Sequence, residues 1–298
     1  VNKQQPDLLE DKRLTALSAY AILDTTPQKE LDAITRLASF VCKTPIALIT
    51  FIDADRQWVK SSVGIDLKQV PRADAFCNHA ITSNNILEIE DVLEHDAFRH
   101  NPFVVNDPQI RFYAGAPLID PNGFKLGALC VLDMVRRKLT TEQLNSLRTL
   151  ANDVVTHLVL LKQSRELKDT QARDKDLSNL FNTSPGIQCV MDKDYRIEMI
   201  NKAVTDILGH NQGKAIGKVF WNLFSEGVRS SSIRQMNEGL RKGKRSFEVK
   251  TPLITGAGDI KWLNWSLVFK ENKWYATGRD VKRIWIYFLL PLKNRQVA

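Results

Sequence analysis

The sequence predicts an α+β chain of two units, each an antiparallel sheet with flanking helices, joined by a long helix. Three observations carry this. "YAGAPLI" and "LGALCVLD" flank "DPNG" at Asp120–Gly123, a hairpin whose proline and glycine supply the turn geometry. Leu144, Leu147, Ala151, Val154, Leu158 and Leu161 then recur three and four apart, the period of one helix face. Further on, "SFEVKTPLI", "IKWLNWSLVFK" and "KWYATGRDV" are three strand-like runs separated by "TGAGD" and "KEN", so adjacent hairpins recur in a second unit.

Taken in order, Leu14, Leu17, Tyr20 and Ile22 are the first apolar positions. Thr26-Pro27 then opens a helix on which Leu31, Ile34, Leu37, Ala38 and Val41 keep helical spacing. "PIALITFID" is a nearly continuous apolar run, read as a buried strand, and "RQWVKSSVG" is its neighbour across a turn through Asp53–Asp55. "NHAITSNN" reads as a helix start capped by Asn78, and "ILEIED" as another strand. The long helix continues through "KQSRELKDTQARDKDL", charged and free of Gly and Pro, so its start packs on a unit and its end projects into solvent. In the second unit "GIQCVMD" and "YRIEMIN" pair around Lys193-Asp194, and "KAVTDILG" is a helix stopped by Gly209.

A chain of 298 residues with 43% hydrophobic and 26% charged residues has the composition of a soluble globular protein of about two domains. No apolar run reaches the roughly 18–20 residues of a spanning helix, and the first residues lack the apolar core of a signal peptide. Cys42, Cys77, Cys130 and Cys189 form no CxxC pair, the pattern of reduced thiols in a cytoplasmic protein. The net charge of +8 is uneven: residues 176–298 hold 20 Lys and Arg against 11 Asp and Glu, residues 1–175 hold 22 against 23. The densest basic run, "RKGKR" at Arg241–Arg245, sits between a helix and a strand and reads as a solvated loop. No zinc-finger or RNP-like signature accompanies it, so no specific nucleic acid and no membrane is expected as partner.

"AYAILDTTP", "LDAIT", "PIALITFIDADRQWVKS", "AFCNHAI", "NPFV", "IRFYAGAPL" and "LGALCVLD" occur in an order that resembles a bacterial GAF domain of the signalling type over residues 10–162. "SPGIQCVMDKDYRIEMINKAVTDILG" and "FEVKTPLITGAGDIKWLNWSLVF" with "GRDV" resemble a PAS domain over 177–283, leaving 163–176 as a helical linker and 284–298 as an apolar tail. The resemblance implies a cytoplasmic sensor that binds a small molecule or partner and passes the signal through the interdomain helix to an output. That output is of the kind found in histidine kinases or cyclic-di-GMP cyclases. No H-box, ATP-binding glycine motif or GGDEF run is present, so no enzyme is expected within these residues. In the tail, Ile284–Leu290 is too apolar for a solvated connector, and Pro291 interrupts a helix.

Four residues are candidates for the GAF pocket: Cys77, His79, Arg111 and Trp58. Cys77 and His79 diverge if they lie on a helix, which disfavours a shared metal, and no partner pair has metal-ligand spacing. Pocket wall is the favoured reading of Cys77, with Cys130 able to approach it. Arg111 leads into an apolar strand and needs a partner, either Asp91 or Asp96, or a ligand carboxylate or phosphate. Trp58 stands beside Asp53, Asp55 and Arg56, a cluster read as turn residues or as a pocket rim. "NPFV" at Asn101–Val104 lacks the NKxD-type motif of cyclic-nucleotide binders; the bilin signature and the flavin-binding cysteine motif are absent too, so no cofactor is named. Asn201 is expected to tie the second sheet to its next helix, and Trp262 and Trp265, three apart on a strand, to face opposite ways. Alternatives to ligand sensing are a ligand-free dimerisation or interaction module and a thiol-based redox enzyme. A homodimer would pair along Leu144–Leu161, whose spacing is that of a coiled-coil seam.

Overall fold

The computed structural model describes residues 4–224 and 226–281. The apolar tail, Ile284–Leu290 included, lies outside the described residues. The chain divides into two compact units at residues 169/170.

In the first unit, α1 (Gln4–Ala19) and α2 (Lys29–Cys42) precede β1 (Ile46–Ile52), β2 (Arg56–Val63) and β3 (Gln69–Pro71). Then come α3 (Phe76–Ala80), β4 (Leu87–Ile89), α4 (Pro102–Val105), β5 (Phe112–Ile119), β6 (Lys125–Asp133) and α5 (Thr141–Thr183). The six strands form one sheet in the order β3-β2-β1-β6-β5-β4, antiparallel throughout. The β5–β6 turn forms where Asp120 and Gly123 predict it: Asp120 Oδ1 accepts from the amides of Asn122 and Phe124, and Gly123 takes φ 86°. β1 is buried at every position because both faces of the sheet are covered. Ala47, Ile49 and Phe51 face a core shared with Leu31 and Ala38 of α2 and Leu147, Val154 and Leu158 of α5. Ile46, Leu48 and Ile52 face the opposite core, built with Phe76, Cys77, Phe98 and Val104.

Helix α2 buries Leu31, Thr35, Ala38 and Cys42, one residue per turn. Leu37, expected on this face, is exposed, because six residues from Leu31 carry it about 240° round the helix. The apolar face of α5, read as a core face or a coiled-coil seam, packs on this unit. Leu147, Leu150, Ala151, Val154, Val155 and Leu158 are buried in the chain's own first unit. From Gln163 to Leu180 the helix is unbroken and every residue is exposed.

In the second unit β7 (Ile187–Met191), β8 (Ile197–Ile200), α6 (Ala203–Leu208), α7 (Gln212–Ala215), α8 (Glu226–Arg241), β9 (Ser246–Ile254), β10 (Ile260–Lys270) and β11 (Lys273–Asp280) follow α5. The sheet order is β8-β7-β11-β10-β9, again antiparallel. Gly209 ends α6 in the left-handed conformation, φ 69°, as a helix stop requires. Arg241 ends α8, and 242–245 is an exposed turn leading to β9. One sheet face is packed with Phe220, Trp221, Phe224, Trp265 and Trp274; Trp265 is fully buried and Trp262 is 45% exposed, so the two do face opposite ways. Asn201 is buried and ties the sheet to the preceding helix rather than the next one. Its Nδ2 donates to the carbonyls of Phe181 and Gly186, both at 2.9 Å, and its Oδ1 accepts from Gln188 N.

Candidate functional site

The first unit holds a mostly apolar cavity of ≈ 30 Å³ between the sheet and α3. β1 and β6 contribute Ile46, Leu48, Cys130 and Leu132; α3 contributes Phe76 and Cys77; Tyr113 enters from β5. Alternation along the strands decides which side chains arrive here: Leu48 and Cys130 are opposite each other in register, and each is followed by a residue pointing to the other core.

The sulfur atoms of Cys77 and Cys130 lie 3.5 Å apart, and the Tyr113 hydroxyl donates to Cys77 Sγ at 3.3 Å. Gly115 makes this possible. A Cβ there would stand 2.1 Å from Tyr113 Oη, so only glycine leaves the phenol its seat along the strand. Phe76 stacks on the Tyr113 ring at 5.3 Å and fixes its plane. Burial opposes ionisation of Cys77, but hydrogen bonds from Cys130, Thr50 and Tyr113 outweigh it and hold the thiol below its ordinary value. Cys130 is pushed well up by its hydrogen bond to Cys77 and by burial, and Tyr113 is pushed well up by burial and the neighbouring sulfurs. Of this group Cys77 is therefore the member that gives up a proton first.

The other three candidates stand elsewhere. Trp58 packs against Phe51 on the opposite face of the sheet, with Lys60 Nζ 5.6 Å from its ring centre. His79 is exposed and lies edge-on to Phe98 at 4.7 Å, two residues along α3 from Cys77 and turned away from it. Arg111 meets neither Asp91 nor Asp96: its Nη1 donates to the carbonyls of Val104, Gln109 and Ile110 at 3.0–3.1 Å, which is the work of a loop clamp. Arg56 binds Asp24, Asp53 and Gln69, so the Asp53–Arg56 cluster is a turn. Nor does Asn78 cap a helix. α3 begins at Phe76 after Ala75, and Asn78 Oδ1 accepts from Arg72 Nε at 2.8 Å instead. Arg72 also reaches Glu10 Oε1 at 2.6 Å, fastening the start of α3 to α1.

Sequence reading missed Tyr113 and Gly115. The pattern that carries them, a glycine two residues after an aromatic residue on a strand, marks a close side-chain approach. Among the described residues no group of three or more His, Cys, Asp or Glu side chains could hold a metal ion. No described helix is long and apolar enough to cross a membrane. In the second unit Cys189 lies on β7 and burial pushes its thiol up to about 12.

Residues 26–158 match the family profile of the GAF domain, and residues 181–287 that of the PAS fold. A cyclic di-GMP phosphodiesterase of Pseudomonas aeruginosa is 40% identical over 124 residues, 42% of this chain. The match spans 21% of that relative's length. Among solved structures, the PAS domain of an HTR-like protein from Haloarcula marismortui is 20% identical, with a TM-score of 0.35, covering 40% of this chain and 99% of that one. The PAS domain of the Cronobacter turicensis RpfR quorum-sensing receptor, in complex with BDSF, is 22% identical, with a TM-score of 0.30, covering 33% and 95%.

Proposed function

We propose that this chain, a GAF domain followed by a PAS domain, is the sensory input of a signalling protein whose GAF unit takes a small molecule in the Cys77–Cys130–Tyr113 cavity. Occupancy biases the packing of α5, and α5 carries the change toward the PAS unit and an output outside this sequence. One observation supports this most. β1 and β6 present Leu48 and Cys130 to the cavity and, at the adjacent positions, Ile49 and Leu129 to the core that holds α5. A solute that binds one arrangement of these strands better than another shifts both faces together.

The cavity sets the size of the molecule. At ≈ 30 Å³ it has room for a solute of a few heavy atoms and none for a nucleotide unless α3 moves. The identity to a cyclic di-GMP phosphodiesterase supports an output that turns over cyclic di-GMP, with that dinucleotide as the output's substrate rather than the cavity's ligand. Native mass spectrometry of protein purified from its own host tests the reading. A small solute retained by the wild type and lost from Ala75→Leu, which fills the cavity wall, supports it. An empty protein that shows no thermal shift across a metabolite panel overturns ligand sensing and leaves an interaction module.

A further inference from the structure

We propose that Cys77 and Cys130 form an oxidisable dithiol, a site at which a small hydroperoxide is reduced and a disulfide is made inside the GAF unit. It shares with the sensory reading only the premise that the cavity admits a small solute. Two thiols in contact are costly to explain as packing alone, since either could be replaced by an alanine-sized or valine-sized apolar side chain. The other cysteines show what isolation looks like. Cys42 and Cys189 are buried free thiols with no second sulfur in hydrogen-bond reach, pushed by burial up to about 11 and about 12.

At Cys77 four features coincide. Its sulfur and that of Cys130 are 3.5 Å apart, so closing to the about 2 Å of a disulfide takes roughly 1.5 Å of travel. α3, which carries Cys77, is five residues long and packs directly on the strand that carries Cys130. Both Cys77 and Cys130 line a cavity of ≈ 30 Å³, against the roughly 10–15 Å³ that admits one water, so a peroxide-sized solute fits and a bulky oxidant is shut out. The Tyr113 hydroxyl, 3.3 Å from Cys77 Sγ, supports the thiolate.

The chemistry closes with one oxidant. The Cys77 sulfur attacks one oxygen of the hydroperoxide; an S–O bond forms as the O–O bond breaks, and the other oxygen leaves as an alcohol, or as water from hydrogen peroxide, with the thiol proton. Cys77 is then a sulfenic acid. The Cys130 sulfur attacks it, the S–S bond forms, and the hydroxyl leaves as water with the Cys130 proton. Two thiols have lost two electrons and two protons, and the peroxide has been reduced. The product clamps α3 to β6 across the cavity.

The full chain is exposed to hydrogen peroxide under native conditions, quenched with N-ethylmaleimide and mapped by mass spectrometry. Expected is a cross-linked peptide joining Cys77 to Cys130, two hydrogens lighter than the reduced pair and reversed by dithiothreitol. It should form about tenfold faster than any modification of Cys42 or Cys189. Cys130→Ser should stop at a Cys77 sulfenic acid that dimedone traps, and Tyr113→Phe should slow the wild-type reaction several-fold with circular dichroism unchanged. A wild-type chain in which Cys77 and Cys130 stay reduced while Cys42 or Cys189 oxidises, or cross-links only in urea, overturns the inference. If that chain still retains a metabolite lost from Ala75→Leu, the sensory reading survives; if the disulfide forms and no metabolite is ever found, the reverse holds.

Discussion

Replacing Leu158 with alanine tests whether α5 is a core helix or a dimer seam. Leu158 is 1% exposed and packs in the core that also holds Ile49, Phe51 and Leu129. Removing three buried carbons forfeits about 2.4 kcal/mol of transfer energy at about 0.8 kcal/mol per group. The residual cavity raises the cost to roughly 3–4 kcal/mol, inside the range for buried leucines. With a urea slope of about 2 kcal/mol/M, the midpoint of the first unit should fall by roughly 1.5–2 M. Hydrogen-exchange protection of the β1 and β6 amides against urea reads this unit alone. Leu160→Ala, at a position 59% exposed, should move the midpoint by less than about 0.3 M, since surface changes stay within about 0.5 kcal/mol. Equal midpoints for wild type and Leu158→Ala, together with a lost dimer by sedimentation, would refute the reasoning.

Asn201→Ala strips three backbone groups of their partners in the second unit and should cost roughly 3 kcal/mol, seen as an earlier urea transition of β7 and β11. Gly127→Ala places a Cβ 1.9 Å from the Thr50 carbonyl, so β1 and β6 must part; a loss of about 3 kcal/mol should lower Tm by about 6–12 °C. At Gly123 an added Cβ meets nothing, so Gly123→Ala should cost only the about 1–2 kcal/mol of its positive φ. Glu10 supplies a pH dependence. Its hydrogen bonds with Arg13, opposed by burial and reinforced by Arg72, hold its carboxyl at about 2, below the ordinary 4.5. A depressed carboxylate stabilises the fold fully above pH 4.5 and loses that contribution as pH falls through about 2. Stability of Glu10→Gln should therefore converge on the wild type over this window, and a constant gap between the two profiles counts against the assignment.

What the sequence disclosed depended on how local its cause was. The β5–β6 hairpin is written in four consecutive residues, and the stop at Gly209 in one, so both were legible. The apolar face of α5 was legible as a face, yet its partner was not, because spacing is the same whether a helix meets its own sheet or a second copy. Site residues fared worse for a related reason. Cys77 lies in a short helix and Cys130 on a strand 53 residues away, and their contact depends on sheet order. Trp58 was apolar and on a strand, but which face it took turned on register. Arg111 sought a carboxylate by the logic of charge and found three carbonyls from its own loop, a solution that only backbone geometry reveals.

Hydrogen-exchange mass spectrometry of the wild type and Ala75→Leu, each with and without a metabolite extract of the host, tests most directly whether the cavity speaks to α5. In the wild type the extract should slow exchange in α3 and, across the sheet, in the amides from Leu147 to Leu158; Ala75→Leu should show neither change. Slowing confined to the cavity wall, or an identical response in both proteins, would contradict the relay through β1 and β6.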